Sequence, residues 1–333
     1  MHGLTSVVIP CYDSQKFLEE ALASVREQTS RVREIVVVDD GSPTPTRPPE
    51  DWDGAPLRVV RTPNQKSAAA RNHGSRLATG AFIAFLDADD LWLPEKIERQ
   101  EQALAADPDA VLCYTRCTEE PGFFGFGPYP PQEVSQEEFL RVLWYNNFFP
   151  PSSVVVRRDA FEKVGGFRDE LGTGAEDMEL WMRMLALGRC IQVPLRLCRY
   201  RQHPGQFTRD TYAKVMANKL ARREVIARQA DRLVTAGIPR VKFWNAHRNV
   251  VRLVYYRRDF TAARRLLWDY WKEHPLDLRM LASAGITLLP PRMVAGLRGR
   301  LRLPGESAPA ADSKLDRTGW NRALAEIRED LES

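Results

Sequence analysis

Phe82-Ile83-Ala84-Phe85-Leu86-Asp87-Ala88-Asp89-Asp90 is a continuous apolar run that ends in three acids. A run without polar alternation suits a strand covered on both faces. Three others precede it: Ser6-Val7-Val8-Ile9, Ile35-Val36-Val37-Val38 and Leu57-Arg58-Val59-Val60. Between the first two, Phe17, Leu18, Ala21, Leu22 and Val25 recur at helical spacing, with Asp13 or Ser14 available as the cap. A second helical pattern covers about residues 68–78, and Pro94 is placed to open a third at its first turn. Strands alternating with helices predict a doubly wound α/β sheet, mainly parallel, with helices on both faces.

The pattern dissolves into Gly, Phe and Pro around residues 121–131, which reads as an irregular loop. Val154-Val155-Val156 resumes a strand, residues 177–187 are helical, and Ile191-Gln192-Val193 follows. From about residue 211 the strands stop and Arg-rich helices continue. Residues 303–313 read as a linker before a short amphipathic helix near residues 320–331. The expected division is an α/β domain over 1–210, a basic helical region over 211–302, and a linker with terminal helix over 303–333. The stretch from Phe260 to Leu267, followed by His274-Pro275, echoes one tetratricopeptide hairpin. It has no second copy at a fixed period, so a plain helical hairpin is expected.

With 333 residues, 44% hydrophobic and 28% charged, the composition fits a soluble globular protein and argues against disordered, collagen-like or disulfide-scaffold classes. No apolar run reaches the roughly 18 residues of a membrane span. The first residues lack a signal peptide's basic and apolar regions, so a cytoplasmic location is expected. Five cysteines at irregular spacing read as reduced thiols; Cys113-x3-Cys117 lacks a second pair or nearby histidine to complete a zinc site. Charge is unevenly spread. Residues 1–213 carry 24 Lys/Arg against 31 Asp/Glu, whereas residues 214–302 carry 20 against 6. The two parts therefore face different partners.

In open α/β sheets ligands bind beyond the carboxyl ends of the strands. There lie Pro10-Cys11-Tyr12-Asp13, Asp39-Asp40-Gly41-Ser42 and Asp87-Ala88-Asp89-Asp90. The absence of GxGxxG and of GxxxxGK[ST] argues against dinucleotide and P-loop sites. Crowded carboxylates repel unless a cation neutralises them, so the Asp87 cluster fits a hard divalent metal, although acidic strand-to-helix turns more often just cap a helix. Glu176-Asp177 at a helix start fits capping or a general base. Arg199-Tyr200-Arg201-Gln202-His203 offers cations and an imidazole at a turn.

Taken together, these stretches resemble the family 2 inverting glycosyltransferases of GT-A fold. Ala70-Arg71-Asn72, Gly165-Gly166-Phe167, Glu176-Asp177-x-x-Leu180-Trp181-x-Arg183 and Tyr200-Arg201-Gln202-His203-Pro204-Gly205 also carry the likeness, which spans about residues 4–210. The resemblance implies that Pro10 and Tyr12 flank the nucleobase, Asp40 takes its ring N–H, and Arg71 lies near base or diphosphate. It implies that Asp87 contacts the ribose and that Asp89, with His203, holds Mn2+ or Mg2+. Arg201 would help neutralise the diphosphate. Asp177 becomes the base, with Glu176 beside acceptor or donor sugar. Asp13 stands where the family usually has Asn, and Lys66 stands where its Asn-x-Gly loop has Gly, removing a residue that tolerates positive φ.

The implied activity is transfer of a sugar from a nucleotide-diphosphate sugar, UDP foremost, to an acceptor hydroxyl in cell-surface polysaccharide or glycolipid synthesis. Aromatic residues 123–126 and 144–149 are candidates either for stacking on acceptor sugars or for the core. The basic helices around residues 281–303 fit solvated faces or peripheral contact with anionic lipid, which a lipid-linked acceptor would suit. No nucleic-acid module is present. The rival readings are a non-catalytic sugar-nucleotide or glycan-binding protein on a degenerate scaffold, opposed by the intact acids, and a nucleotidyltransferase, opposed by the missing Gly/Lys-rich N-terminal loop.

Overall fold

A computed structural model describes residues 3–119, 129–130, 134–145, 147–203, 205–206, 221–222, 225 and 260–273. Strand β1 (Thr5–Cys11) leads to helix α1 (Gln15–Arg26), then β2 (Glu34–Asp39), β3 (Leu57–Arg61), α2 (Lys66–Leu77) and β4 (Phe82–Phe85). Next come β5 (Leu91–Trp92), α3 (Lys96–Ala106), β6 (Ala110–Glu119), α4 (Gln136–Tyr145) and β7 (Val154–Arg157). The order closes with α5 (Arg158–Lys163), α6 (Glu176–Met184), β8 (Arg189–Tyr200) and α7 (Phe260–Glu273).

These strands make one sheet in the order β3-β2-β1-β4-β7-β6-β8-β5. The first four positions are all parallel, as is β6 with β8. β7 runs antiparallel to β4 and β6, and β5 antiparallel to β8, so the parallel character sits in the N-terminal half. β1 is buried on both faces, which is why its sequence shows no alternation. Val7 and Ile9 pack with Leu18 and Leu22 of α1 and Ile97 of α3, whereas Val8 joins Phe85, Leu143 and Trp181 on the opposite face. Helix α2 lies close to the sheet: a Cβ on Gly74 would come 2.5 Å from Val8 Cγ1. That close approach holds Arg71, one turn earlier, beneath the strand ends.

Several local expectations change. Ser14 occupies the N-cap position of α1, but its hydroxyl donates to the Tyr12 carbonyl instead of capping the helix. Pro94 precedes α3, whose N-cap is Glu95. Trp144, Phe148 and Phe149 are core residues at most 1% exposed, and Phe149 stacks on Tyr114 at 4.6 Å, so none offers a face to a sugar. Residues 123–126, the terminal basic segment around 281–303, the linker and the last helix lie outside the described residues. Beyond residue 210, Ala221 and Val225 are buried in the core shared with α4 and α6, and Arg222 donates to the Trp144 carbonyl. All five thiols are free. Among the described residues no helix is long and apolar enough to cross a membrane.

A lysine is fully enclosed between α3 and the sheet. Lys96 has no exposed surface; its ammonium donates to Gln100 Oε1 at 2.7 Å and sits 4.2 Å from the Trp92 ring centre. Burial pulls its pKa down from the usual 10.5 to about 8. Between those values the unfolded chain binds more protons, so native stability rises with pH through that window. Measured by urea denaturation, wild type should gain about 2 kcal/mol relative to Lys96→Met between pH 7.5 and 10, at about 1.4 kcal/mol per pKa unit.

Candidate active site

The turn after β4 presents its acids unequally. Ser152 Oγ accepts from the Asp87 backbone N–H at 3.0 Å and donates to Asp90 Oδ2 at 2.5 Å, while Asp90 Oδ1 accepts from the Arg201 N–H. Asp90 is wholly buried, and burial followed by the neighbouring Asp89 charge pushes its carboxyl well above the usual range. Asp90 therefore fastens the turn to β8. Asp87 and Asp89 remain partly open to the site.

Asp89 Oδ2 lies 2.8 Å from His203 Nε2, with the imidazole against the Phe17 ring at 4.7 Å between centres. Burial and then Asp87 raise the Asp89 carboxyl, and the His203 contact lowers it. One carboxylate oxygen and one imidazole nitrogen converging here fit a divalent cation such as Mn2+ or Mg2+ that takes its other ligands from phosphates and water. Among the described residues no cluster of three or more His, Cys, Asp or Glu side chains could hold a metal ion. Arg201 is occupied elsewhere: its guanidinium pairs with Glu20 and donates to the carbonyls of Asp89 and Phe17. It ties β8 to α1, with its charge turned to Glu20.

Arg71 is buried and spans two carboxylates, Asp87 Oδ1 at 2.6 Å and Glu176 Oε1 at 2.7 Å. Glu176 is also saturated within the protein. Its Oε1 receives Ser67 Oγ–H, and its Oε2 receives the N–H groups of Gly174 and Ala175 at the start of α6. Arg71 and Glu176, expected beside the donor or acceptor, make these contacts to protein groups. Asn72 braces the next layer. Its amide donates to Phe167 O and Asp169 Oδ1 and accepts from Phe167 N–H. Gly166 has φ +69°, and a Cβ there would meet Asn72 Oδ1 at 2.5 Å.

Asp177 follows on the first turn of α6. Its Oδ2 accepts from Asn147 Nδ2 and its Oδ1 from the Met178 N–H, both at 2.7 Å. Burial and the adjoining Glu176 charge push its carboxyl up to about 7, against the opposing pull of Met178, Arg71 and Asn147. A carboxylate poised there can exchange a proton near neutral pH.

At the far end, Tyr12 is 51% exposed just past β1, and Pro10 is half-buried beside it. Asp39 holds its own loop: it accepts from the N–H groups of Ser42 and Thr46 and pairs with Arg61. Asp40 is buried and receives the Gln65 N–H on Oδ1 and the Lys66 N–H on Oδ2. Lys66 keeps φ +75° although it is not glycine. The left-handed position thus survives, held by the Asp40 carboxylate. Sequence reading missed Ser67, Asn147 and Ser152. The polar pair Asn146-Asn147 and Ser152-Ser153, each inside an apolar stretch, were the available signals.

A protein-family model described as "Glycosyl transferase family 2" matches residues 6–165. The chain is 31% identical over 192 residues to the amylovoran biosynthesis glycosyltransferase AmsE of Erwinia amylovora, covering 55% of this chain and 70% of that protein. It is 28% identical to the Escherichia coli UDP-Glc:alpha-D-GlcNAc-diphosphoundecaprenol beta-1,3-glucosyltransferase WfaP, covering 76% and 92%. Among solved structures, Staphylococcus aureus TarS 1–349 with UDP-GlcNAc aligns at TM-score 0.58 and 19% identity, over 81% of this chain and 80% of that one. The Pyrobaculum calidifontis mannosyltransferase PcManGT with GDP-Man and Mn2+ aligns at 0.56 and 18%, over 100% and 86%. Those two likenesses bear on fold, which is that of GT-A transferases.

A left-handed Lys costs about 1–2 kcal/mol, which glycine avoids while adding unfolded-state freedom. In denaturant titrations Lys66→Gly should therefore stabilise by about 0.5 kcal/mol, and β-branched Lys66→Val should destabilise by about 1 kcal/mol or more.

Proposed function

Because the chain belongs to glycosyl transferase family 2, we propose that it is an inverting hexosyltransferase that moves a sugar from a UDP-sugar to a hydroxyl of a lipid-linked glycan. The observation that carries this reading is Asp177, an enclosed carboxylate on the first turn of α6 held by Asn147 and the Met178 N–H; burial and Glu176 raise it toward neutrality. The acceptor oxygen attacks the anomeric carbon as Asp177 takes its proton, and the bond from that carbon to the diphosphate breaks with its electron pair leaving on the phosphate. Positive charge builds on the sugar during that displacement, as in glycoside hydrolysis.

Asp89 Oδ2 and His203 Nε2 would hold a divalent cation, which when bound supplies charge neutralisation to the departing diphosphate. Tyr12 offers its ring to the nucleobase. Asp87, with Oδ2 outside the Arg71 pair, accepts from the ribose, and Asp40 keeps lone pairs for the base N–H. The UDP donor is supported by the names of WfaP and of the TarS complex. PcManGT was solved with GDP-Man, so the fold also accepts guanine. WfaP acts on a diphosphoundecaprenol-linked sugar. A lipid-borne acceptor of that class would suit a protein whose residues 214–302 are strongly cationic, through peripheral contact with anionic lipid.

Calorimetric titration should show UDP binding that depends on Mn2+ and weakens at least about tenfold in Asp89→Ala, the loss of about 1.4 kcal/mol. GDP preferred over UDP would move the donor class, and no nucleotide binding would overturn the transferase reading. Asp177→Asn should retain UDP affinity while turnover falls by about 10²–10⁴. Since the base acts only when ionised, wild-type kcat/KM should rise with pH and level off above about 7.

A further inference from the structure

Two asparagines near the site are used differently. Asn72 satisfies both ends of its amide on protein groups. Asn147 does not: its Nδ2 donates to Asp177 Oδ2 at 2.7 Å, and its buried Oδ1 has no hydrogen-bond partner among the described residues. An amide retained for packing alone forfeits stability by leaving a buried carbonyl unmatched. An ionised carboxylate only accepts, so it dictates that Asn147 present its NH₂ group and leaves the carbonyl oxygen over. The orientation is thus set by Asp177 at the expense of the amide's other end. Phe148 and Phe149, anchored in the core immediately after Asn147, fix the backbone that delivers this donor.

We propose that Asn147 is a positioning residue for the reaction, holding the Asp177 carboxylate ionised and aimed at the attacking hydroxyl. The inference rests on the assignment of Asp177 as base. Among the described residues, the charged groups that act on Asp177 are Glu176 on its own helix and Arg71 from α2, whose second ionic partner is Asp87. Neither charge changes when Asn147 is replaced. A donor removed from the charged form of an acid makes that form harder to reach, and a carboxylate put in its place makes it harder still.

The test follows the Asp177 side-chain carboxyl by carbon NMR in protein labelled at aspartate, with Asp177→Asn supplying the assignment. The same proteins are assayed from pH 5 to 9 for nucleoside diphosphate release from UDP-glucose, UDP-GlcNAc and GDP-mannose with Mn2+, water serving as acceptor. Asn147→Ala should move the Asp177 midpoint and the acid limb of kcat/KM upward together by about one pH unit, with donor KM within about twofold. Asn147→Asp should move both further, and Asn147→Ser, which keeps a short donor, should restore part of the shift. Midpoints unchanged in folded Asn147→Ala and Asn147→Asp would overturn the inference while leaving the base assignment intact. An acid limb that does not coincide with the Asp177 midpoint in wild type would overturn the base assignment, and the inference with it. Should Asn147→Ala fail to fold, Asn147→Ser and Asn147→Asp decide by the same two readouts.

Discussion

Arg71 lies almost wholly inside the protein between Asp87 and Glu176, within 2.7 Å of each. A lone guanidinium in that position would carry a desolvation penalty of several kcal/mol, which two carboxylates offset only with good geometry. The planar fork provides it, since Nη1 and Nη2 point at separate acids in fixed directions, which a lysine ammonium cannot reproduce. Three elements are locked together as a result: α2, the end of β4 and the first turn of α6. Removing the cation would leave Glu176 and Asp87 unbalanced, a loss of about 3–5 kcal/mol in comparable buried pairs. The same cation opposes the Glu176 charge felt by Asp177, so that carboxyl is raised less than burial and Glu176 alone would raise it.

Other buried charges repeat the device away from the site. Glu179 has no exposed surface and pairs with Arg168 and Arg183, and Arg183 continues to the carbonyls of Val164 and Gly166. That chain connects α6 to the Gly165-Gly166-Phe167 turn, which Asn72 then joins to α2. The motif segments are therefore wired to each other more than to solvent. Asp39 and Asp40 show the division within one motif, the first closing its loop with Arg61 and the second closing the turn before α2.

Continuous apolar runs made β1, β2, β4 and β7 legible, because a strand covered on both sides has no polar positions to confuse with a helix. β6 was not: Ala110-Val111-Leu112-Cys113-Tyr114-Thr115-Arg116-Cys117 mixes thiols and polar groups, and its register with β8 shifts where the regular pattern breaks. β5 is two residues long and exists only because β8 passes beside it. At the site, the acids were readable as strand-end carboxylates, and Asp177 as a helix-start acid. Which acid does which work was not, because it depends on partners far along the chain: Ser152 for Asp90, Arg71 for Glu176, and Asn147 for Asp177. The aromatic stretch around Phe148 had the composition of a stacking surface, and only burial distinguishes that from core.

The ion pairs and hydrogen bonds that build the site join residues far apart in order of synthesis. Arg71 meets Glu176 across 105 positions, and Asp89 meets His203 across 114. A chain emerging from the ribosome can assemble β1 to β4 from its first 85 residues, since those strands are mutually parallel and adjacent. Until residue 203 is free, that early sheet has no imidazole opposite Asp89 and no helix bearing Asp177. Contacts of such long range are slow to close, so this part of the described fold forms late. A truncated product of interrupted translation would therefore carry the strand-end acids of the early sheet without the partners that fix them.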